Sequence, residues 1–116
     1  MTTTEEVIKQ FNTAFWDHEP SGLEAIIADD CILENTGPAP EGATYKGKDA
    51  CLKFWSGIAS NKDMYFDTEG VDILDDRAII RWHLHWGPSA VDSVRGVNIM
   101  RVRDGKIVEA LGYVKS

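Results

Sequence analysis

Residues 31–35, Cys-Ile-Leu-Glu-Asn, end a short apolar run on a carboxylate and a carboxamide, Glu34 and Asn35, just ahead of a loop containing Pro38 and Pro40. A carboxylate beside apolar residues is the type of group that serves as a general base, and a carboxamide orients a carbonyl or hydroxyl by donating to its oxygen. Glu34 and Asn35 are therefore candidate catalytic residues. Asn98 joins them as a donor to a carbonyl oxygen, because it is the one polar residue on a face shared with Val94, Gly96, Met100 and Val102. Neighbours on a strand face opposite ways, so Asn35 inward with Leu33 implies Glu34 outward with Ile32, unless a bulge or a one-residue shift reverses them.

Other reactive side chains offer less. His83 and His85 share a face with Arg81 at a spacing that suits a metal, but no third ligand is evident, and no metal is expected. A subunit interface or a solvated surface suits the pair better. His18 follows the first helix, where an exposed imidazole is common. Asp92 and Arg95 read as a surface ion pair. Cys31 and Cys51 lack metal-ligand spacing and read as buried free thiols, with a disulfide between them left open. There is no glycine-rich phosphate loop and no nucleophile elbow, and no cofactor is expected.

The elements that position these residues follow from hydrophobic periodicity. Thr3 and Glu6 form a capping-box pattern ahead of Val7, Ile8, Phe11, Ala14 and Phe15, which predicts a helix ending near Asp17. Ser21 and Glu24 repeat the pattern after Pro20 and predict a short second helix closing at Asp29 or Asp30. Residues 31–35 predict a strand, residues 36–47 a loop, and Ala50, Cys51, Phe54, Trp55 and Ile58 a third helix. From Met64 the period becomes two, predicting four strands with turns at Asp75–Asp76, Gly87–Pro88 and Asp104–Gly105. Helices first and an antiparallel sheet afterwards make an α+β fold.

Alternation assigns Ile80, Trp82, Leu84 and Trp86 to the sheet face under the helices, with Ile79, Arg81, His83 and His85 on the other. On the last strand Val108, Ala110, Gly112 and Val114 join the inner set. Large tryptophans opposite Gly96, Ala110 and Gly112 predict a curved sheet with a pocket under the helices, although the small residues also suit making room for the two indoles. The expected pocket-lining and ligand-binding residues are Phe11, Phe15, Trp55, Ile80, Trp82, Leu84, Trp86, Asn98, Met100 and Gly112. On the outer face Val97, Ile99, Leu111 and Tyr113 lie among Arg101, Arg103, His83 and His85, a mixture typical of a protein interface.

The 116 residues are read as one domain spanning 1–116. Nineteen acidic and twelve basic residues give a net charge of −7 with scattered cations, which disfavours nucleic-acid and anionic-membrane partners. No apolar run of membrane-spanning length and no basic leader is present, and a cytoplasmic location is expected.

The element order, with Asp-Asp-Cys-Ile-Leu-Glu-Asn-Thr-Gly at 29–37 and residues 94–114 at the end, resembles the SnoaL-like branch of the nuclear transport factor 2-like superfamily over nearly the whole chain. That resemblance implies three N-terminal helices packed on a curved sheet, forming a cone with an internal cavity. It also implies dimerisation through the outer sheet face. The scaffold hosts ketosteroid isomerases, polyketide cyclases, epoxide hydrolases, dehydratases and proteins with no reaction. Residues 28–37 are similar to the first-strand motif of the ketosteroid isomerases, whose site is a worked case of carboxyl pKa tuning. By that resemblance the base position falls on Asn35, the oxyanion-hole tyrosine position on Phe11, and the second acid position on Asn98. An amide abstracts no proton at neutral pH and a phenyl ring offers no O–H, so isomerase chemistry of that type is expected to be negligible.

The expected function is binding of a small hydrophobic ligand in an apolar cavity by a homodimeric protein. One alternative is an isomerase, cyclase or dehydratase acting on a small hydrophobic carbonyl compound with Glu34 as base. A second is a non-catalytic oligomerisation or interaction module.

Overall fold

Thr3 and Glu6 exchange both hydrogen bonds of a capping box, Glu6 N–H to Thr3 Oγ1 at 3.1 Å and Thr3 N–H to Glu6 Oε1 at 3.3 Å. From this cap α1 runs over Thr4–Trp16 in the computed structural model, which describes residues 2–115. Its apolar stripe is buried, and its end is tied down by His18, whose left-handed backbone (φ 53°) brings Nδ1 within 3.1 Å of the Ala59 carbonyl. A carbonyl only accepts, so Nδ1 carries the proton. Ala59 is the last residue of α2, Lys48–Ala59, and this bond joins the ends of the two long helices.

The segment expected as a second helix takes the form of two short 3-10 turns, Pro20–Gly22 and Glu24–Ile26, and does not continue to Asp29 or Asp30. The Ser21–Glu24 capping box does not form, and the Glu19 carboxylate accepts from Ser21 N–H instead. Competition from the sheet explains the difference. Ile27 pairs with Ile107, so β1 begins at Ile27, four residues before the predicted Cys31, and runs to Glu34.

Six strands form one sheet in the order β2-β1-β6-β5-β4-β3, the others being β2 Thr44–Lys46, β3 Tyr65–Leu74, β4 Arg77–His85, β5 Ser93–Arg103 and β6 Lys106–Val114. It is mixed, because β1 lies parallel to β6 while every other pair is antiparallel. β2 falls inside the predicted loop: the chain doubles back after Asn35, whose N–H donates to Ala43 O at 2.8 Å, and three residues pair with the end of β1. Gly42 allows that return. Its φ of +76° is left-handed, and a Cβ there would run into the Asn35 carbonyl.

Besides a register shift in β1 between Ile27 and Ile32, bulges in β3 and β6 set which residues face the helices. On β3 the pairing jumps between Thr68 and Gly70, so Phe66 and Thr68 lie opposite Leu84 and Trp82, and beyond the bulge Val71 and Ile73 lie opposite Ile80 and Ala78. On β6 it jumps at Val108, because Arg101 pairs with Glu109 and Val102 with Ile107. Ile107 is consequently fully buried and Val108 is not, which corrects the alternation expected for this strand. The Asp104–Gly105 turn has the positive φ angles that Asp-Gly favours, 53° and 77°.

Candidate functional site

Residues on α1, α2 and the inner sheet face enclose a cavity of about 120 Å³. One wall is a chain of aromatic rings in tilted or edge-on contact: Trp55–Phe11 with centroids 5.0 Å apart, Phe11–Phe15 at 4.9 Å, Phe15–Phe66 at 5.5 Å and Phe66–Trp82 at 5.5 Å. Such pairs contribute about 0.5–1.5 kcal/mol each beyond simple burial, so the wall resists collapse into the space it borders. The floor is a row across the sheet, Ile80, Asn98 and Gly112, set side by side by the β4–β5 and β5–β6 registers.

The two glycines have different duties. A Cβ at Gly96 would lie 2.6 Å from Trp82 Cζ2 and Cη2 and 2.5 Å from Tyr113 O, so Gly96 makes room for the indole. At Gly112 the nearest atoms would be Thr36 Cγ2 at 3.1 Å, Asn98 Oδ1 at 3.4 Å and Glu34 O at 3.4 Å. Gly112 thus opens the floor between the β1 end and Asn98.

Four polar groups matter inside. Asn98 is half-buried. Asn35 and Thr36 border the cavity beside Gly112. Asn12 is only 8% exposed, and sequence reasoning missed it because the α1 stripe was drawn through apolar residues alone. Its position four residues after Ile8 and three before Phe15 was the available signal. Among the described residues neither Asn carboxamide, at 12 or 98, receives or donates a side-chain hydrogen bond. The indole Nε1 of Trp82 is likewise buried without a partner. A buried donor left unpaired costs roughly 1–3 kcal/mol. By contrast Trp16 Nε1 donates to Thr68 Oγ1 at 3.1 Å, and Trp16, 47% exposed, marks where the cavity meets solvent.

Among the described residues Glu34 is the one ionisable residue bordering the cavity. Its strand neighbour Leu33 pairs with the buried Ala110, while Glu34 itself pairs with Leu111 on the opposite face, alongside the exposed Ile32. Its backbone oxygen approaches Gly112, whereas its Cγ lies near the loop at Gly42. What Glu34 presents inward is a carbonyl.

Phe11, Phe15, Trp55, Ile80, Trp82, Leu84, Asn98 and Gly112 all border the cavity. Two expected members do not. Trp86 is 46% exposed because β4 ends at His85 and the chain turns away, Trp86 N–H donating to Asp92 O at 3.0 Å. Met100 is completely buried, but it lies one row below Asn98, between Ala78 and Ala110, where the helices pack directly on the sheet. Thr68, Phe66 and Phe54 were not foreseen as lining residues. Phe66 and Thr68 carried the inward phase of β3, but only the pairing with β4 reveals it.

A family profile described as a SnoaL-like domain matches residues 8–110. The chain belongs to the SnoaL-like domain family. Its placement in the nuclear transport factor 2-like superfamily agrees with solved structures. A crystal structure of an NTF2-like protein of unknown function from Mesorhizobium loti is 48% identical, with a TM-score of 0.91 over 97% of this chain and 91% of that one. A putative polyketide cyclase from Sinorhizobium meliloti is 19% identical, TM-score 0.74, over 92% and 93% of the two chains. An LEH-like epoxide hydrolase from M. tuberculosis is 15% identical, TM-score 0.74, over 97% and 80%. The last two share the fold. No curated protein matches the sequence.

Elsewhere on the SnoaL-like domain, the outer sheet face carries a linked polar cluster. His85 Nε2 lies 3.1 Å from Asp67, with its ring stacked on Tyr65, and His83 Nε2 lies 2.8 Å from Ser93 Oγ. Partial desolvation, with His85 and Arg95 nearby, pushes the His83 pKa down. Arg95 pairs with Glu69 at 3.1 Å, not with Asp92 as expected, because the β3 bulge brings Glu69 into reach. Among the described residues no cluster of three or more His, Cys, Asp or Glu is arranged to hold a metal, and no helix is long and apolar enough to cross a membrane. Cys31 and Cys51 are free and buried, and burial pushes both thiols up. The Cys51 thiol reaches the carbonyls of Cys31 and Tyr45, each at 3.6 Å.

Proposed function

We propose that this SnoaL-like domain binds a small, largely apolar molecule between its helices and sheet, with Asn98 and Asn35 orienting a carbonyl or hydroxyl of the ligand. The observation that carries the reading is the composition of the lining: aromatic rings and carboxamides surround about 120 Å³, and Glu34, the single ionisable residue there among the described residues, pairs with Leu111 in the outward-facing row of β1. Proton abstraction requires a base within hydrogen-bond reach of the substrate. The lining offers amides in its place, which bind and orient but do not take protons.

Catalysis of the isomerase, cyclase or dehydratase type on a small carbonyl compound is the second reading. It is favoured by the position of Glu34 at the cavity edge, one residue from Asn35. Glu34→Gln separates the two: under the binding reading ligand affinity is unchanged, and under the catalytic one turnover and its acidic pH limb disappear together. The outer face supports a homodimer, since the rows Ile79–Ile99–Leu111 and Arg81–Val97–Tyr113 place apolar side chains among arginines. A monomer by light scattering at micromolar concentration would remove that part of the proposal. Buried free thiols suit a reducing compartment, and the cytoplasm is the proposed location.

The test is a thermal-shift screen with small neutral carbonyl compounds, in which binders raise Tm by mass action. Gly112→Leu, which pushes its side chain against Thr36 and Asn98, should abolish the shift. If no compound moves Tm, the cavity is not a ligand site and the interaction-module alternative gains.

A further inference from the structure

We infer that Asn12 and the Trp82 indole N–H, together with Asn98, form an uncharged hydrogen-bonding site that selects a neutral compound of about one ring carrying a carbonyl oxygen. This rests on the proposed binding role of the cavity and names the ligand class that role serves.

Three observations converge. Trp82 and Asn12 are each 92% buried, the indole N–H has no partner, and both residues line the same space. An indole nitrogen only donates, so what satisfies it must bring an acceptor. The carboxamides of Asn12 and Asn98 supply further donors, and each adds one acceptor for a hydroxyl or N–H on the ligand.

Charge restricts the class further. Among the described residues no Lys, Arg or His borders the cavity, and the whole chain carries a net charge of −7, so a carboxylate or phosphate would enter against the protein's field and meet no counter-ion there. A cation would meet no inward-facing carboxylate, because the Glu34 side chain lies on the far face of β1. Size completes the argument. An apolar cavity of roughly 150 Å³ holds benzene, and the volume here is about 120 Å³. The space is somewhat smaller than that, so a short branched chain fits within it, a single ring fits by reaching toward the exposed Trp16, and fused rings do not fit.

The test compares cyclohexanone with methylenecyclohexane, which has the same shape but no acceptor oxygen, and with benzoate. Binding to the full chain is followed in the ¹⁵N-labelled indole region, with the Trp82 resonance assigned from Trp82→Phe. Cyclohexanone should move the Trp82 indole proton downfield and bind about tenfold more tightly than methylenecyclohexane. Asn12→Leu should cost cyclohexanone about a factor of ten and leave methylenecyclohexane within about twofold. Equal affinity for the two neutral probes, with the Trp82 N–H unmoved, overturns the polar site and leaves the cavity proposal standing. Failure of both neutral probes to bind overturns the cavity proposal and this inference with it. Tighter binding of benzoate overturns the selection for neutral ligands. Should Asn12→Leu not fold, the wild-type indole shift decides.

Discussion

Gly96→Ala is the sharpest test of how the cavity wall is built. The added methyl would sit 2.6 Å from two carbons of the Trp82 ring and 2.5 Å from the Tyr113 carbonyl oxygen. Carbon–carbon contact is comfortable at about 3.5–4.0 Å, so roughly 1 Å of overlap must be relieved. The carbonyl belongs to β6, where Val97 pairs with Tyr113 and Gly96 with Val114, and moving it disturbs the ladder. The indole must therefore swing, which also breaks its edge contact with Phe66. Overpacking of this sort costs about 1–3 kcal/mol. Against it, alanine restricts the unfolded chain and returns about 0.4–1 kcal/mol. The clash wins by about 1–2 kcal/mol, which for a chain of this length lowers Tm by roughly 4–8 °C. Scanning calorimetry measures the loss, and near-UV circular dichroism should change as Trp82 is displaced. A Tm equal to or above that of the parent, with an unchanged aromatic spectrum, would refute the packing of Trp82 on Gly96 and the β4–β5 register behind it.

Other consequences are measurable. Arg103 grips Asp30 with two hydrogen bonds, at 2.7 and 3.1 Å, and holds its carboxyl below the ordinary 3.8. Since the folded pKa is the lower one, this contribution is complete at neutral pH and fades as the pH falls through the folded value. Asp30→Asn should therefore melt slightly lower than the parent at pH 7, with the gap closing in acid below pH 3.8 and shrinking in high salt, because both groups are exposed. Native protein at pH 8 should resist iodoacetamide at Cys31 and Cys51, whose thiolates are scarce and shielded, and react at both once unfolded in urea. Rapid labelling of folded protein would contradict their burial. Trp16→Phe and Thr68→Val each delete the hydrogen bond at the cavity entrance and should each cost about 0.5–1.5 kcal/mol. The double variant should cost clearly less than the sum in a denaturant-melt cycle, and additive losses would show that the two side chains act independently.

Much of the scaffold was legible from short-range pattern. The Thr3–Glu6 cap, the α1 stripe, the Asp104–Gly105 turn and the inward phase of Ile80, Trp82 and Leu84 depend on spacings of a few residues, which local chemistry sets. The cavity was only partly legible. Phe11, Phe15, Trp55, Asn98 and Gly112 could be placed around it from periodicity, but Asn12, Phe66 and Thr68 could not. A helical stripe drawn through apolar residues passes over a polar one buried in the same row.

Local pattern therefore specifies which element forms and which side of it is apolar, because helix and strand periods repeat within a few residues. Pairing between distant segments settles the rest. Ile27 opposite Ile107 draws residues 27–30 into the sheet and cuts the second helical segment down to 3-10 turns. The bulges at Glu69 and Val108 each insert a residue that no local period announces, and each reverses the faces beyond it. The side on which Glu34 stands belongs to this second class. Leu111, nearly eighty residues further along the chain, pairs with it in the outward-facing row, so the Glu34 side chain leaves the strand on the face opposite the cavity its backbone helps to enclose.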